Sequence, residues 1–160
     1  MKATKKFNLE LFEESEKVNF YTIHFENDEY SEFEKFLIGH QSIQFRNDLS
    51  RIVSWIDKIG ETGALERYFR PESKMHDGVG AIPIEVSKLR LYCLRISDRI
   101  LILGNGGHKP KSQRSYNDDP HLNDCVEILS QLDKFLKYRK HNETICVVDQ
   151  TITGNLSFYI

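Results

Sequence analysis

Two apolar runs, Leu89-Arg90-Leu91-Tyr92-Cys93-Leu94-Arg95-Ile96 and Ile100-Leu101-Ile102-Leu103, are separated only by Ser97-Asp98-Arg99. A link of three residues is too short for a crossover, so if both runs are strands they must pair antiparallel. A third run, Ile82-Pro83-Ile84-Glu85-Val86, precedes them across the still shorter Ser87-Lys88 link and extends the pair to a three-strand meander. Pro83 has no N–H to donate, which puts the first of these strands at an edge or at a bulge. Gly104-Asn105-Gly106-Gly107 then reads as a turn at positive φ that ends the meander, since it fits neither GxxxxGK[ST] nor GxGxxG.

The segments on either side are mostly helical. Val18–Phe25 mixes aromatic and β-branched residues as a strand does, with His24 a packed or edge residue. Ser31 and Glu34 have the spacing of a capping box, ahead of Phe33, Phe36 and Leu37, which predicts a short helix to Gly39. Phe45, Leu49, Ile52, Val53, Ile56 and Ile59 recur at helical spacing from about Ile43 to Gly60, and the two helices are expected to form an antiparallel pair. Trp55 lies beside that stripe at the edge of the core. Pro120 opens a third helix, with Leu122, Val126, Leu129, Leu132 and Leu136 as its apolar face, ending near Arg139. Ile145–Val148 and Leu156–Ile160 read as tail strands. With 160 residues, no repeat and no linker-like tract, one domain over 1–160 is expected, of α+β class.

Composition narrows the chemistry. No apolar run is long enough to span a membrane, and Met1–Lys6 is followed by Phe7-Asn8-Leu9-Glu10 rather than an apolar leader core, so the chain reads as unexported and cytoplasmic, with no membrane partner. Cys93, Cys125 and Cys146 are scattered and odd in number, as expected of reduced thiols. The histidines lack HxxxH or HExxH spacing, so no metal and no cofactor is expected. The net charge of −2 hides a segregation: residues 67–114 carry 10 Lys/Arg against 4 Asp/Glu, whereas 1–66 carry 8 against 13 and 115–160 carry 4 against 7. The basic middle is the candidate anion-binding surface, the alternative being charges that only solvate the outer faces of strands.

Helix, helix, meander and basic loop follow one another in an order that resembles the RelE/HigB/ParE superfamily of toxins, its HigB-like and phage Gp49-like branch in particular. The residues that carry the resemblance are Leu89-Arg90-Leu91-Tyr92, then Ile100-Leu101-Ile102-Leu103 followed by Gly107-His108-Lys109 and Lys111, and the basic loop ending at Tyr116. In this group Tyr follows the strand Arg by three positions rather than two. The lysines expected around Ile82–Val86 are missing here, with Glu85 in their place, and Lys109 is followed by Pro110. The resemblance covers about residues 18–116, with the C-terminal helix and tail strands, 117–160, as additions. It implies an N-terminal helical pair packed on a small, mainly antiparallel sheet. It also implies a type II toxin that cuts messenger RNA, free or on the ribosome, by a metal-independent 2′-OH attack, and a cognate antitoxin as partner.

On this reading Arg90 clamps the phosphate, Lys109 and Lys111 are further cations for the charge that grows in the transition state, and Tyr116 transfers the proton. A tyrosine can act as a base near neutral pH only if such cations depress its pKa. Arg67, Arg70, Lys74, Arg95 and Arg114 are candidate contacts to the nucleic-acid backbone. Two alternatives stay open: a non-catalytic inhibitor similar to the gyrase-directed ParE toxins, and a phage-derived module that binds a protein partner through its sheet edge or tail strands.

Overall fold

The computed structural model describes residues 4–70, 78–83, 85, 87–109 and 119–160. Strand β1 (Lys6–Glu14) and strand β2 (Asn19–Phe25) form a hairpin at the start of the chain, closed by the Ser15 N–H to the Val18 carbonyl at 2.9 Å. Phe7 and Leu9 of β1 are buried on one face while Asn8 and Glu10 point away, the alternation of a half-covered strand. Between Leu11 and Glu13 the pairing with β2 slips by one residue at Phe12, a bulge that twists this outer strand.

Helices α1 (Glu32–Gly39) and α2 (Arg46–Thr62) come next. The capping box is present at α1: the Glu34 N–H donates to Ser31 Oγ at 3.3 Å, and the Ser31 N–H donates to the Glu34 carboxylate at 3.1 Å. Helix α2 is preceded by a 3₁₀ turn at Ile43–Phe45 and runs past Gly60 to Thr62. Gly60 is therefore not the residue that ends the helix. It is a point of close approach, where an added Cβ would stand 2.8 Å from Ser15, and its carbonyl accepts the Lys17 N–H.

Strands β3 (Val79–Ile82), β4 (Leu89–Ser97) and β5 (Ile100–His108) form an antiparallel meander, but its first strand lies N-terminal to the expected Ile82–Val86 and shares only Ile82 with it, so that Pro83 stands just beyond the strand at the sheet edge. Helix α3 (Pro120–His141) begins at an Asp119 cap that accepts the N–H groups of His121 and Leu122. Three short strands close the chain: β6 (Ile145–Val148) and β7 (Thr151–Gly154) form a separate hairpin, and β8 (Ser157–Tyr159) pairs with the start of β1.

The large sheet has the order β3-β4-β5-β2-β1-β8, and its one parallel pairing is β2 with β5. This corrects the expected architecture. The helical pair is not N-terminal, because the β1–β2 hairpin precedes it, and the sheet is not small, because β1 and β8 extend it to six strands. Both faces are covered. Phe20, Leu89, Leu91, Cys93, Leu101 and Leu103 pack with Phe33, Phe36, Ile52 and Ile59 of α1 and α2. Phe7, Tyr21, Ile23, Tyr92, Leu94 and Ile102 pack with Leu122, Val126, Leu129 and Leu132 of α3, and the β6–β7 hairpin adds Ile145 and Ile152. Double coverage explains why β4 and β5 read as unbroken apolar runs rather than as alternating ones.

His24 links the β1–β2 hairpin to the turn before α1. Its ring meets the Glu10 carboxylate at 3.0 Å and the Asp28 carbonyl at 2.8 Å. The hydrogen bond to that carbonyl, and then the one to Glu10, raise its pKa above the ordinary 6.5. A raised folded-state pKa stabilises the protein fully below 6.5, and this contribution is lost as pH rises through the folded value. The melting temperature of His24→Gln should therefore fall furthest below wild type under pH 6.5, and the gap should narrow at alkaline pH. A gap that is constant with pH would show that the ring acts by packing alone.

Candidate functional site

Arg90 and Lys109 come together at one end of the β4–β5 ladder. Arg90 pairs with Gly107, and the Lys109 N–H donates to the Lys88 carbonyl at 2.8 Å, which carries the pairing one step past β5. A Cβ on Gly107 would meet Leu122 at 3.3 Å and His121 at 3.5 Å, so Gly107 faces the first turn of α3. Arg90, directly opposite, shares that face, and so does Lys109, two residues beyond Gly107. Arg90 is 9% exposed.

The remaining sequence candidates are spread out or lie outside the described residues. Lys74, Lys111, Arg114 and Tyr116 fall outside them. Arg95 lies at the far end of β4, about 17 Å along the strand from Arg90. Its guanidinium is engaged by the Ala64 carbonyl at 2.7 Å and by Asp98. Arg67 lies over the Tyr68 ring at 5.3 Å, and Arg70 donates to the Glu85 carbonyl. Arg95, five residues from Arg90 on the same strand, therefore points to the opposite face of the sheet.

The glycine-rich run is part of strand β5 and is not a terminal turn. Leu103 pairs with Cys93 and Gly106 with Leu91, so Gly104 and Asn105 both stand opposite the single residue Tyr92. This is a β-bulge, and positive φ among the described glycines occurs only at Gly63, Gly78 and Gly154. Asn105 Oδ1 accepts the Gly106 N–H at 2.7 Å, and the side chain lines a crevice of about 560 Å³.

The crevice opens where the chain leaves the parallel pair β2 and β5 in opposite directions, from β2 to α1 on one face and from β5 to α3 on the other. Sheets covered on both faces tend to bind ligands at such a divergence, beyond the carboxyl ends of the strands. Lys5, Lys6, Phe25, Lys35, His121, Asp124 and Tyr159 are among the residues lining it. Lys35 is held by Asp28 and, at 2.7 Å, by Glu32. None of these residues carried a spacing signal, because the crevice joins positions from both ends of the chain.

His121 borders both regions, its Nε2 lying 2.9 Å from the Gly106 carbonyl and 3.8 Å from Cys125 Sγ. The pair does not make a reactive thiolate. Burial pushes the Cys125 thiol up to about 12, and the charges of Glu32, Asp124 and Asp119 push in the same direction. Burial alone raises Cys93 as well, while Cys146 is exposed. Iodoacetamide at neutral pH should therefore label one thiol of three in the folded protein, at Cys146, and all three after denaturation. Rapid native labelling of Cys125 would contradict the geometry. Among the described residues no group of three or more His, Cys, Asp or Glu could hold a metal ion, and no helix is long and apolar enough to cross a membrane.

No match was found among protein-family models, curated proteins or solved structures. The functional reading therefore rests on the residues themselves.

Proposed function

We propose that the chain is a toxin-type endoribonuclease that cuts messenger RNA by attack of a ribose 2′-OH on the adjacent phosphate, and that a cognate antitoxin restrains it. The observation that supports this most is the placement of Arg90 and Lys109 on one face, at one end of the β4–β5 ladder, within the most basic third of the chain. The reading draws on those residues and on the Leu89–Tyr116 sequence pattern. It does not depend on the arrangement of the helical pair.

The reaction asks little of the protein. The 2′-oxygen forms a bond to phosphorus as the bond to the 5′-oxygen breaks, leaving a 2′,3′-cyclic phosphate and a free 5′-hydroxyl. One proton leaves the 2′-OH for a base, and one is delivered to the departing 5′-oxygen. The nucleophile is part of the substrate, so the main demand is for cations that bind the pentacoordinate phosphorane more tightly than the ground-state phosphodiester. The planar guanidinium of Arg90 suits two equatorial oxygens at once, and Lys109 supplies a point charge beside it. Lys111 and Tyr116, the further cation and the proton-transfer residue, complete the proposed set from the sequence.

Induced expression provides the test. Wild-type protein should arrest growth with rapid loss of messenger RNA, and an Arg90→Lys/Lys109→Ala double variant, expressed and soluble to the same extent, should do neither. Normal growth and intact messenger with soluble wild-type protein would remove the ribonuclease reading in favour of a binding module.

A further inference from the structure

We infer that the crevice beside the β5 bulge holds a guanine base of the RNA strand next to the phosphate at Arg90 and Lys109. The inference rests on the proposed ribonuclease function for its substrate class. Its carrying observation is the set of side chains left available in a site of this size. Lys35 is paired with Asp28 and Glu32, whereas Lys5, Lys6, Glu26 and Asp124 have no ion-pair partner among the described residues; of the two carboxylates Asp124 belongs to α3, one turn from the His121 that meets the Gly106 carbonyl, and so stands nearer the Arg90 end of the sheet. Asn105 uses its Oδ1 on the Gly106 N–H, so its amide N–H groups remain as donors.

On the side toward Gly107 the crevice thus offers the Asp124 carboxylate as acceptor and the Asn105 amide as donor, with Lys6 also in its lining. The Watson–Crick edge of guanine presents two adjacent donors, N1–H and the 2-amino group, beside one acceptor, O6. A carboxylate can take both donors in a bidentate pair, and an amide N–H can reach O6. Adenine and cytosine put an acceptor beside their amine, and uracil puts acceptors on both sides of its single donor, so each leaves one carboxylate oxygen facing an acceptor. Single-stranded RNA is read at this edge when its bases are unstacked. Lys6, which also lines the crevice, suits a flanking phosphate. The location fits as well, since Asn105 is two residues along β5 from Gly107, which faces Arg90. One strand laid across the end of the sheet would meet the base site and the cation pair in succession.

The test measures binding without cleavage. Calorimetric titration of the full chain with 2′-O-methyl trinucleotides, whose blocked 2′ positions cannot attack, should show UGU binding about tenfold or more tighter than UAU. That preference should disappear in Asp124→Asn, where a donor replaces one acceptor. Asp124 is exposed and has no ion-pair partner among the described residues, so the melting temperature of the variant should match wild type, and Lys6→Ala should weaken both trinucleotides alike. Equal binding of UGU and UAU, no binding of either, or a preference that survives Asp124→Asn overturns the inference. Binding of GMP but not of UGU also overturns it and marks the crevice as a site for a free nucleotide. Because none of these titrations requires turnover, failure of the base site and failure of the ribonuclease reading are separate results.

Discussion

Gly106→Ala is expected to cost about 4 kcal/mol or more, among the largest effects a single methyl group can have. The added Cβ would stand 1.9 Å from the Arg90 carbonyl oxygen, 2.9 Å from its carbonyl carbon and 3.0 Å from Leu91 Cα. All three atoms are backbone in the neighbouring strand, so no rotamer change relieves the clash. The β4–β5 ladder must part at the bulge, in the middle of a sheet covered on both faces. For a domain of this size the loss corresponds to a fall in melting temperature of roughly 8–16 °C. Gly39→Ala is the control, since nothing lies within 4 Å of its added Cβ and its φ is not positive. It should be neutral or stabilising by about 0.5–1 kcal/mol. Thermal melts of the two variants side by side test the register of the bulge directly, and equal melting temperatures would refute it.

Removing either cation should depress cleavage by about 10²–10³-fold in kcat, the usual cost of losing one preorganised group that stabilises charge in a transition state. Arg90 is the more informative of the two. Arg90→Lys keeps the charge on a buried strand position but gives up the planar two-point contact, so most of the loss should persist. Arg90→Ala leaves space that added guanidinium can fill, and partial rescue by guanidinium but not by ammonium would assign the effect to phosphate contact rather than to packing. Lys109→Ala should lower kcat with little change in KM, as expected of a group that acts mainly in the transition state. Arg95→Ala, at the far end of β4 and engaged by Ala64 and Asp98, should leave kcat near wild type and lower stability instead.

The sequence shows the local parts of this fold more clearly than the parts that depend on long-range pairing. The Ser31/Glu34 capping box, the Leu49–Ile59 stripe and the short link between the apolar runs of β4 and β5 are short-range signals, and each leads to the element observed. Strand β1 was missed although Phe7, Leu9 and Leu11 alternate, because Lys6, Asn8, Glu10, Glu13 and Glu14 dilute the apolar signal. The parallel pairing of β2 with β5 joins residues about 80 positions apart, and no local pattern encodes it. Without that pairing the helices cannot be assigned to faces, while the N-terminal helical pair and the small sheet are what the family resemblance implies, and the strands β1 and β8 overturn them.

The same limit applies to the site. Arg90 within one apolar strand and Lys109 after the next are both legible in the sequence, but their shared face follows from the register of the β4–β5 ladder. Arg95, expected only as a contact to the nucleic-acid backbone, lies an odd five residues from Arg90 on one strand, which sends the two side chains to opposite faces. The bulge at Gly104 and Asn105 is a count of two residues against one, and it exists only once the register is known. Without the bulge, the run reads as a turn. The crevice draws on Lys6, Phe25, Asn105 and Asp124, which no sequence window contains together.

The most direct test of the ribonuclease reading is the chemistry of the cut ends. Purified protein should be incubated with a messenger in the presence of EDTA, with and without ribosomes, and the termini of the fragments identified. The account predicts 2′,3′-cyclic phosphate and 5′-hydroxyl ends, and no cleavage where a single 2′-deoxynucleotide replaces the residue at the cut. Fragments that still form across the deoxy position, or messenger that stays intact under both conditions with folded protein, would contradict it.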